Sequence, residues 1–337
     1  MSLVKNAFYS AAQLLPLAVL KQRRPGSLLL PYHHLVSDAP VPHIKHLYPW
    51  KGTKDFEKDL DYLLRRFKPV TLQDVIQSLR TGQSLPAGSF LLTFDDGLRE
   101  IKDIVAPMLL RKGAPAAFFL NSAFLDNKNL FYKFKLSLII EHLQTTQYAK
   151  ATLDQLYAYL QTDETSVIAA IKKITYSTRG QADEVAGILG ISFAQYLSDV
   201  QPFLTLEEVG VLLQQGFAIG GHSIDHPYYR QLTLEEQLFQ TRQSVDFLVQ
   251  QFKLPYRAFA FPHTDAGVSK IFFNTLLEGP EPLDVIFGTG NQRKDFNPKI
   301  LHRFNCERPS VSINAAVKGI LLLNKIQVMT NKDQVIR

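Results

Sequence analysis

The sequence predicts an α/β fold built on a parallel sheet and interrupted by a helical insertion, and three observations lead there. Short apolar runs of strand length alternate with amphipathic helical stretches, an order that calls for parallel strands joined by crossover helices. Several of these runs stop abruptly on carboxylates or histidines, at the strand ends where α/β barrels and open α/β sheets carry their chemistry. The alternation lapses once, over residues 121–203, where only helical patterns appear.

Residues 1–26 are an N-terminal segment. Leu3 to Leu20 is apolar and aromatic, broken by Lys5, Asn6, Gln13 and Pro16 and followed by Lys21, Arg23 and Arg24. It falls short of the roughly 20 uninterrupted apolar residues of a spanning helix and lacks the small-residue cleavage site of a secretory signal. Two readings stay open: a helix packed across one end of the barrel, or an amphipathic helix on an anionic membrane face, with peripheral contact through residues 1–24. The expected location is the cytoplasm or the membrane surface, with secretion left open.

Residues 27–120 form the first part of the barrel. Ser27 to Tyr32 is a strand that ends on His33 and His34, and residues 40–49 are a loop near the same rim. Thr53 to Phe67 is helical, with Phe56, Leu60, Leu63 and Leu64 on one face, and Gln73 to Leu79 is a second helix. The strand Phe90 to Phe94, a helix from Leu98 to Lys112 and the strand Ala114 to Leu120 follow. The insertion, 121–203, holds helices at Phe131 to Leu143, Leu153 to Leu160, Ser166 to Ile174 and Gln181 to Ile188, and reads either as a brace or as a cap over the cleft.

Residues 204–310 resume the alternation. A helix from Thr205 to Gln214 opens on a capping threonine with Glu207 and Glu208 behind it, and precedes an apolar strand from Phe217. Thr233 to Gln251 is a long helix, Ala258 to His263 a strand, Ile271 to Leu277 a helix, and Val285 to Gly288 and Ile300 to Asn305 are strands. Residues 311–337 supply a closing helix, Ala315 to Leu323, and a tail.

Composition excludes several classes. A content of 46% hydrophobic and 20% charged residues is that of a folded globular chain. The single cysteine, Cys306, rules out an intramolecular disulfide framework. The net charge of +6 comes from lysines and arginines scattered among acids, so no basic stripe points to nucleic acid.

Two stretches carry the chemistry. Ser89-Phe90-Leu91-Leu92-Thr93-Phe94-Asp95-Asp96-Gly97 is an apolar run that ends on two carboxylates; by itself, Asp-Asp-Gly after a strand is a turn. Phe217-Ala218-Ile219-Gly220-Gly221-His222-Ser223-Ile224-Asp225-His226-Pro227 likewise ends on two histidines four apart. If the chain turns helical there, both imidazoles share one side, with Cβ atoms about 5–6 Å apart. Two neutral imidazoles and one carboxylate make a three-ligand set with a position left for water, the pattern of a catalytic zinc site.

Thr93-Phe94-Asp95-Asp96-Gly97, followed by His222-Ser223 and His226, resembles the first two motifs of the polysaccharide deacetylases, metal-dependent carbohydrate esterases with a nodulation-type deacetylase domain. The resemblance runs over residues 27–308, interrupted by the insertion, and implies a distorted seven-stranded (β/α) barrel. It implies Asp95 as catalytic base and Asp96, His222 and His226 as ligands of a divalent metal. Zinc suits this donor set best, and cobalt, nickel or iron would also fit. The implied substrate is an N-acetylated glycan or glycolipid.

Hydrolysis of an amide also needs donors for the oxyanion and an acid for the leaving amine. The family offers a backbone N–H from a motif ending in Pro-Tyr; here Pro262-His263 stands at that place, so a histidine replaces the aromatic. For the acid, Tyr32-His33-His34-Leu35-Val36-Ser37-Asp38 resembles the Tyr-His motif of one branch, which favours His34 with His33 second. His302, in Ile300-Leu301-His302-Arg303, resembles the late leucine-histidine motif of other members. The arginine that normally holds the base is replaced by Ala260, and Arg303 is the candidate substitute. Asp225 is expected beside the ligands or in solvent. The competing readings are the same chemistry on a formamide, cyclic imide or other N-acyl substrate, and a catalytically silent glycan-binding relative.

Overall fold

The apolar runs do pair in parallel. In this computed structural model, which describes residues 11–20 and 28–337, the barrel strands are β1 (Pro31–His33), β2 (Leu92–Phe94), β3 (Ala116–Leu120), β4 (Ala218–Gly221), β5 (Ala258–Ala260), β6 (Val285–Gly288), β7 (Ile300–His302) and β8 (Phe304–Asn305). They form one sheet in the order β7-β6-β5-β4-β3-β2-β1-β8. Its two outermost strands are successive pieces of one segment, parted only at Arg303. The first piece pairs Ile300 with Ile286 and His302 with Gly288 on β6, and the second pairs Phe304 with Pro31 and Asn305 with Tyr32 on β1. The sheet therefore closes on itself in seven passes of the chain, the strand number expected of the barrel. Beneath it, Leu28–Leu29, Ser89–Phe90 and Lys68–Pro69 form a small three-stranded sheet.

Alternate residues of the strands face opposite sides. Ala117, Phe119, Ala218, Ala260, Val285 and Phe287 belong to one cluster, whereas Phe94, Phe118, Leu120 and Ile219 belong to another that packs under the helices. Gly220 makes the first cluster fit: a Cβ there would lie 2.5 Å from the Phe119 ring and 3.0 Å from the Ala258 carbonyl oxygen.

The helices start where the sequence places caps. Thr71, Thr205 and Thr233 each accept a hydrogen bond from the backbone of Asp74, Glu208 and Glu236, whose carboxylates reach back to the cap residue. Each such cap stabilises its helix by about 1 kcal/mol. The helix expected at Leu98–Lys112 begins instead with a wider turn, Ile101–Val105, before the regular Ala106–Lys112. Pro107 in its first turn lacks an N–H, which removes one regular helical bond at the junction.

The insertion contains helices at Tyr132–Thr145, Lys150–Leu160, Val167–Lys172 and Gln181–Leu189, and a fifth, Phe193–Val200, that the sequence reading did not mark. It buries its own apolar residues, among them Ile139, Leu156, Ile171 and Val185, in a cluster shared with Leu35, Val41, Ile44 and Leu98 from the rest of the chain. The closing helix, Ile313–Met329, is longer than expected at both ends and starts at Ser312, which accepts from Ala315 N. In the described part of the N-terminal segment, Leu17–Leu20 is helical, Ala12 and Leu20 are buried, and Lys318 donates to the Gln13 carbonyl at 2.8 Å. The readings made for residues 1–10 and 21–27, including most of the membrane-contact segment, lie outside the described residues. Among the described residues no helix is long and apolar enough to cross a membrane.

Candidate active site

Asp95 and Asp96 follow β2 directly, and the chain there turns sharply: Asp96 has φ +72° and Gly97 φ +71°. Asp95 stays in register, its N–H donating to the His33 carbonyl at 3.0 Å. Its carboxylate shares a face with Thr93, and Arg303 meets both. Arg303 Nη1 donates to Asp95 Oδ1 at 2.6 Å and to Thr93 Oγ1 at 3.1 Å, and Nη2 donates to Asp95 Oδ2 at 2.7 Å. The guanidinium, wholly buried, lies near the rings of Tyr32, Phe119 and Phe287. Burial disfavours the charge on Asp95, but Arg303, together with His222 and His34, outweighs it and lowers the pKa of the carboxyl.

Asp96 faces away from that pair. Its Oδ1 lies 3.1 Å from His226 Nε2 and 3.5 Å from His222 Nε2. The helical condition for bringing the two histidines together is not met: residues 222–227 form an irregular turn in which Ser223 and His226 have φ +70° and +64°. His226 N donates to Ser223 Oγ at 3.0 Å, and this brings the ring centres to 5.0 Å. His222 Nδ1 donates to the Ala260 carbonyl at 2.8 Å, which leaves Nε2 with its lone pair free. Asp96 Oδ1, His222 Nε2 and His226 Nε2 are buried with no hydrogen-bond partner. Three orphaned donor atoms within 4.8 Å of one another fit a divalent cation, and its usual ligand types are present.

The other expected residues separate into two groups. His34 lies beside this centre, where its Nδ1 donates to Glu307 Oε2 at 2.8 Å and its backbone N–H to Glu307 Oε1 at 3.0 Å. Burial works against a charge on His34, but Glu307 and the two aspartates overcome it, and the pKa is pushed up to about 10. His263, with φ +54°, stacks on Tyr228 with ring centres 3.7 Å apart and meets His226 edge-on at 4.3 Å. Burial, with His226 and Lys133 nearby, holds the His263 imidazole well below its ordinary pKa.

His33, Pro262 and His302 are not in the cleft. His33 is packed between Phe56 and Phe94 in the interior, and burial drives its pKa far down. Pro262 is buried, while its neighbours Phe261 and His263 line the cleft. His302 points the opposite way from Arg303, as the next residue on an extended segment must. Its Nε2 donates to Asp295 Oδ2 at 2.9 Å and its Nδ1 accepts from Gly290 N at 2.9 Å. Asp265, Asp295 and His302 form a second carboxylate–imidazole group. There Arg337 already pairs with both carboxylates at 2.6 Å, where a metal would have to sit.

The centre opens into a cavity of about 520 Å³. The barrel contributes Tyr32, His34, Asp95, Asp96, His226 and His263; His46, Leu47 and Tyr48 come from the loop after β1; Phe131, Lys133, Phe134 and Ile174 come from the insertion. The insertion is therefore a wall of the cleft, and it is tied to the histidine turn. Tyr176 Oη donates to both carboxylate oxygens of Asp225 at 2.8 Å, and Gln240 Nε2 donates to Asp225 Oδ1 at 2.7 Å. Glu307 and Tyr48 escaped the sequence reading. Glu307 stands two residues past β8, at the same kind of strand end that carries Asp95 and His222, and that position was the available signal.

A family model described as polysaccharide deacetylase matches residues 82–272, a span that holds both motif stretches and stops short of Arg303 and Glu307. No curated protein matches the chain in sequence. Among solved structures, the fold is similar to that of the Streptococcus pyogenes deacetylase PplD in complex with acetate (TM-score 0.55, 13% identity, 88% of this chain and 99% of that one). It is also similar to IcaB from Ammonifex degensii (TM-score 0.53, 15% identity, 88% and 98%). The de-N-acetylase from Aggregatibacter actinomycetemcomitans is a third such structure (TM-score 0.51, 14% identity, 82% and 94%). At these identities the likeness is one of fold.

Proposed function

The chain belongs to the polysaccharide deacetylases, hydrolases of N-acetyl amide bonds, and on that premise we propose that it removes an N-acetyl group from an amino sugar of a glycan or glycolipid, with Asp95 as base and a divalent metal held by Asp96, His222 and His226. The observation that carries the reading is the convergence of three buried, partnerless donor atoms beside an arginine-held carboxylate in one cavity. Zinc is the ion that this donor set favours.

An amide is a poor electrophile and water a poor nucleophile, and a divalent ion at these ligands supplies both a more acidic water and a polarised carbonyl. The chain's own residues do the rest. Arg303 keeps Asp95 ionised, so the carboxylate is ready to accept the proton of the attacking water, and each oxygen retains a lone pair for that purpose. His34, protonated and aligned by Glu307, gives its proton to the leaving amine. The aromatic wall of Tyr48, Phe131 and Phe134 keeps bulk water from the reacting carbonyl and strengthens these charges.

The reading is tested by following acetate release from N-acetylglucosamine oligomers before and after chelation, with wild type and Asp95→Asn. The asparagine variant should retain its metal and lose about 10²–10⁴-fold in turnover. Full turnover by that variant, or turnover indifferent to chelation, would overturn the assignment.

A further inference from the structure

The Tyr132–Thr145 helix begins at the cavity wall with a charge of the wrong sign for its own end. The first turn of a helix presents unpaired N–H groups and partial positive charge, so caps and acidic side chains gather there. This helix has no side-chain cap at Phe131 and no acidic residue in its first turn. Its second residue is Lys133, half-buried and lining the cavity. Lys133 Nζ donates to Tyr228 Oη at 2.7 Å and lies 4.5 Å from the centre of that ring.

Several neighbouring cations are neutralised. Lys135, two residues on, pairs with Asp183 at 2.7 Å, and Lys45 and His46 share Glu141. Asp95 has Arg303, and Asp96 faces His222 and His226. Among the described residues no carboxylate pairs with Lys133, nor with Lys172, which lines the same cavity. His226 lines the same cavity. It is buried, its Nδ1 has no partner, and its ring lies 4.5 Å from that of Phe131 at the helix start. An ammonium with spare donors beside an uncapped helix start is the chemistry that receives phosphate.

We propose that Lys133, the start of its helix and Lys172 form a subsite for a phosphate ester carried by the N-acylated amino sugar. The sugar rests on the deacetylase reading; the phosphate rests on the lysines and the helix start. A phosphate there would offset both lysines, and the insertion would thereby select charged substrates over neutral oligomers.

Calorimetric titration of the full chain with N-acetylglucosamine 1-phosphate and with N-acetylglucosamine tests this. Wild type should prefer the phosphorylated sugar by about tenfold, and the preference should shrink as salt is raised. Lys133→Met with Lys172→Met should bring the two sugars to near parity, and Lys133→Arg with Lys172→Arg should keep the preference. No preference in wild type, or an undiminished one in a correctly melting Met variant, would overturn the subsite. A preference that disappears on chelation but ignores the lysines would do the same, since the phosphate would then sit on the ion. Acetate release is followed alongside: if neither sugar is deacetylated while the preference obeys the lysines, the deacetylase reading fails and the subsite stands.

Discussion

Arg303 and Asp95, 208 positions apart in the chain, meet through two parallel hydrogen bonds of 2.6 and 2.7 Å in the closed interior of the barrel. Removing the guanidinium leaves a buried carboxylate with no cation. Arg303→Met should destabilise the fold by about 3–5 kcal/mol and suppress turnover, because Asp95 then tends to take up a proton. Arg303→Lys, which keeps the charge but not the fork, should recover part of the stability and less of the rate. Urea unfolding and acetate release check the two effects separately. Unimpaired turnover in the Met variant would show that the pair plays no part in arming Asp95.

On the proposed reading, the convergence of Asp96, His222 and His226 makes metal content and stability one measurement. A cation that binds only the folded chain raises the unfolding temperature in step with its concentration. Wild type should gain thermal stability from added zinc and lose it to a chelator. His222→Ala with His226→Ala should melt at a temperature indifferent to both, with metal content near zero by elemental analysis. A zinc-dependent melt in that variant would place the ion elsewhere.

The His34–Glu307 pair sets a pH dependence. With the folded pKa raised from 6.5 to about 10, the protonated imidazole contributes stability in full below its unfolded pKa. That contribution is lost as pH rises through the folded value. Metal-free wild type should therefore lose stability between about pH 6.5 and 10. Glu307→Gln should flatten that slope and bring the His34 titration, followed by NMR, back toward the ordinary imidazole range. An unmoved titration would mean that Glu307 is not what holds the proton.

Tyr176 and Asp225 bind the insertion to the turn that carries His222 and His226. Tyr176→Phe should cost about 1–2 kcal/mol. It should also raise hydrogen exchange in residues 222–228 more than in the barrel strands. Exchange unchanged in that turn would separate the insertion from the site.

The legible parts of this fold are those where the local pattern and the environment agree. β2, β3 and β6 are buried on both faces, and continuous apolar runs announce them. Asp95, Asp96, His222 and His226 stood out because chemistry at the carboxyl end of a buried strand is rare enough to notice. The direction of a side chain on an extended segment is another matter. His33 and His34, or His302 and Arg303, are adjacent and chemically plausible alike, and only the pairing register decides which one reaches the cleft. The shape of the histidine turn is not legible, because left-handed Ser223 and His226 leave no pattern in the sequence.

Closure of the barrel has a consequence for the order in which the protein matures. Asp96, His222 and His226 all emerge from the ribosome before the segment that seals the seam, whereas Asp95 receives its guanidinium only when that segment docks. On the proposed reading, the residues that would hold the ion and the residue that would arm the carboxylate are thus made at different times during biosynthesis. A chain clipped just before residue 300 would keep Asp96, His222 and His226 and lack the guanidinium that pairs with Asp95.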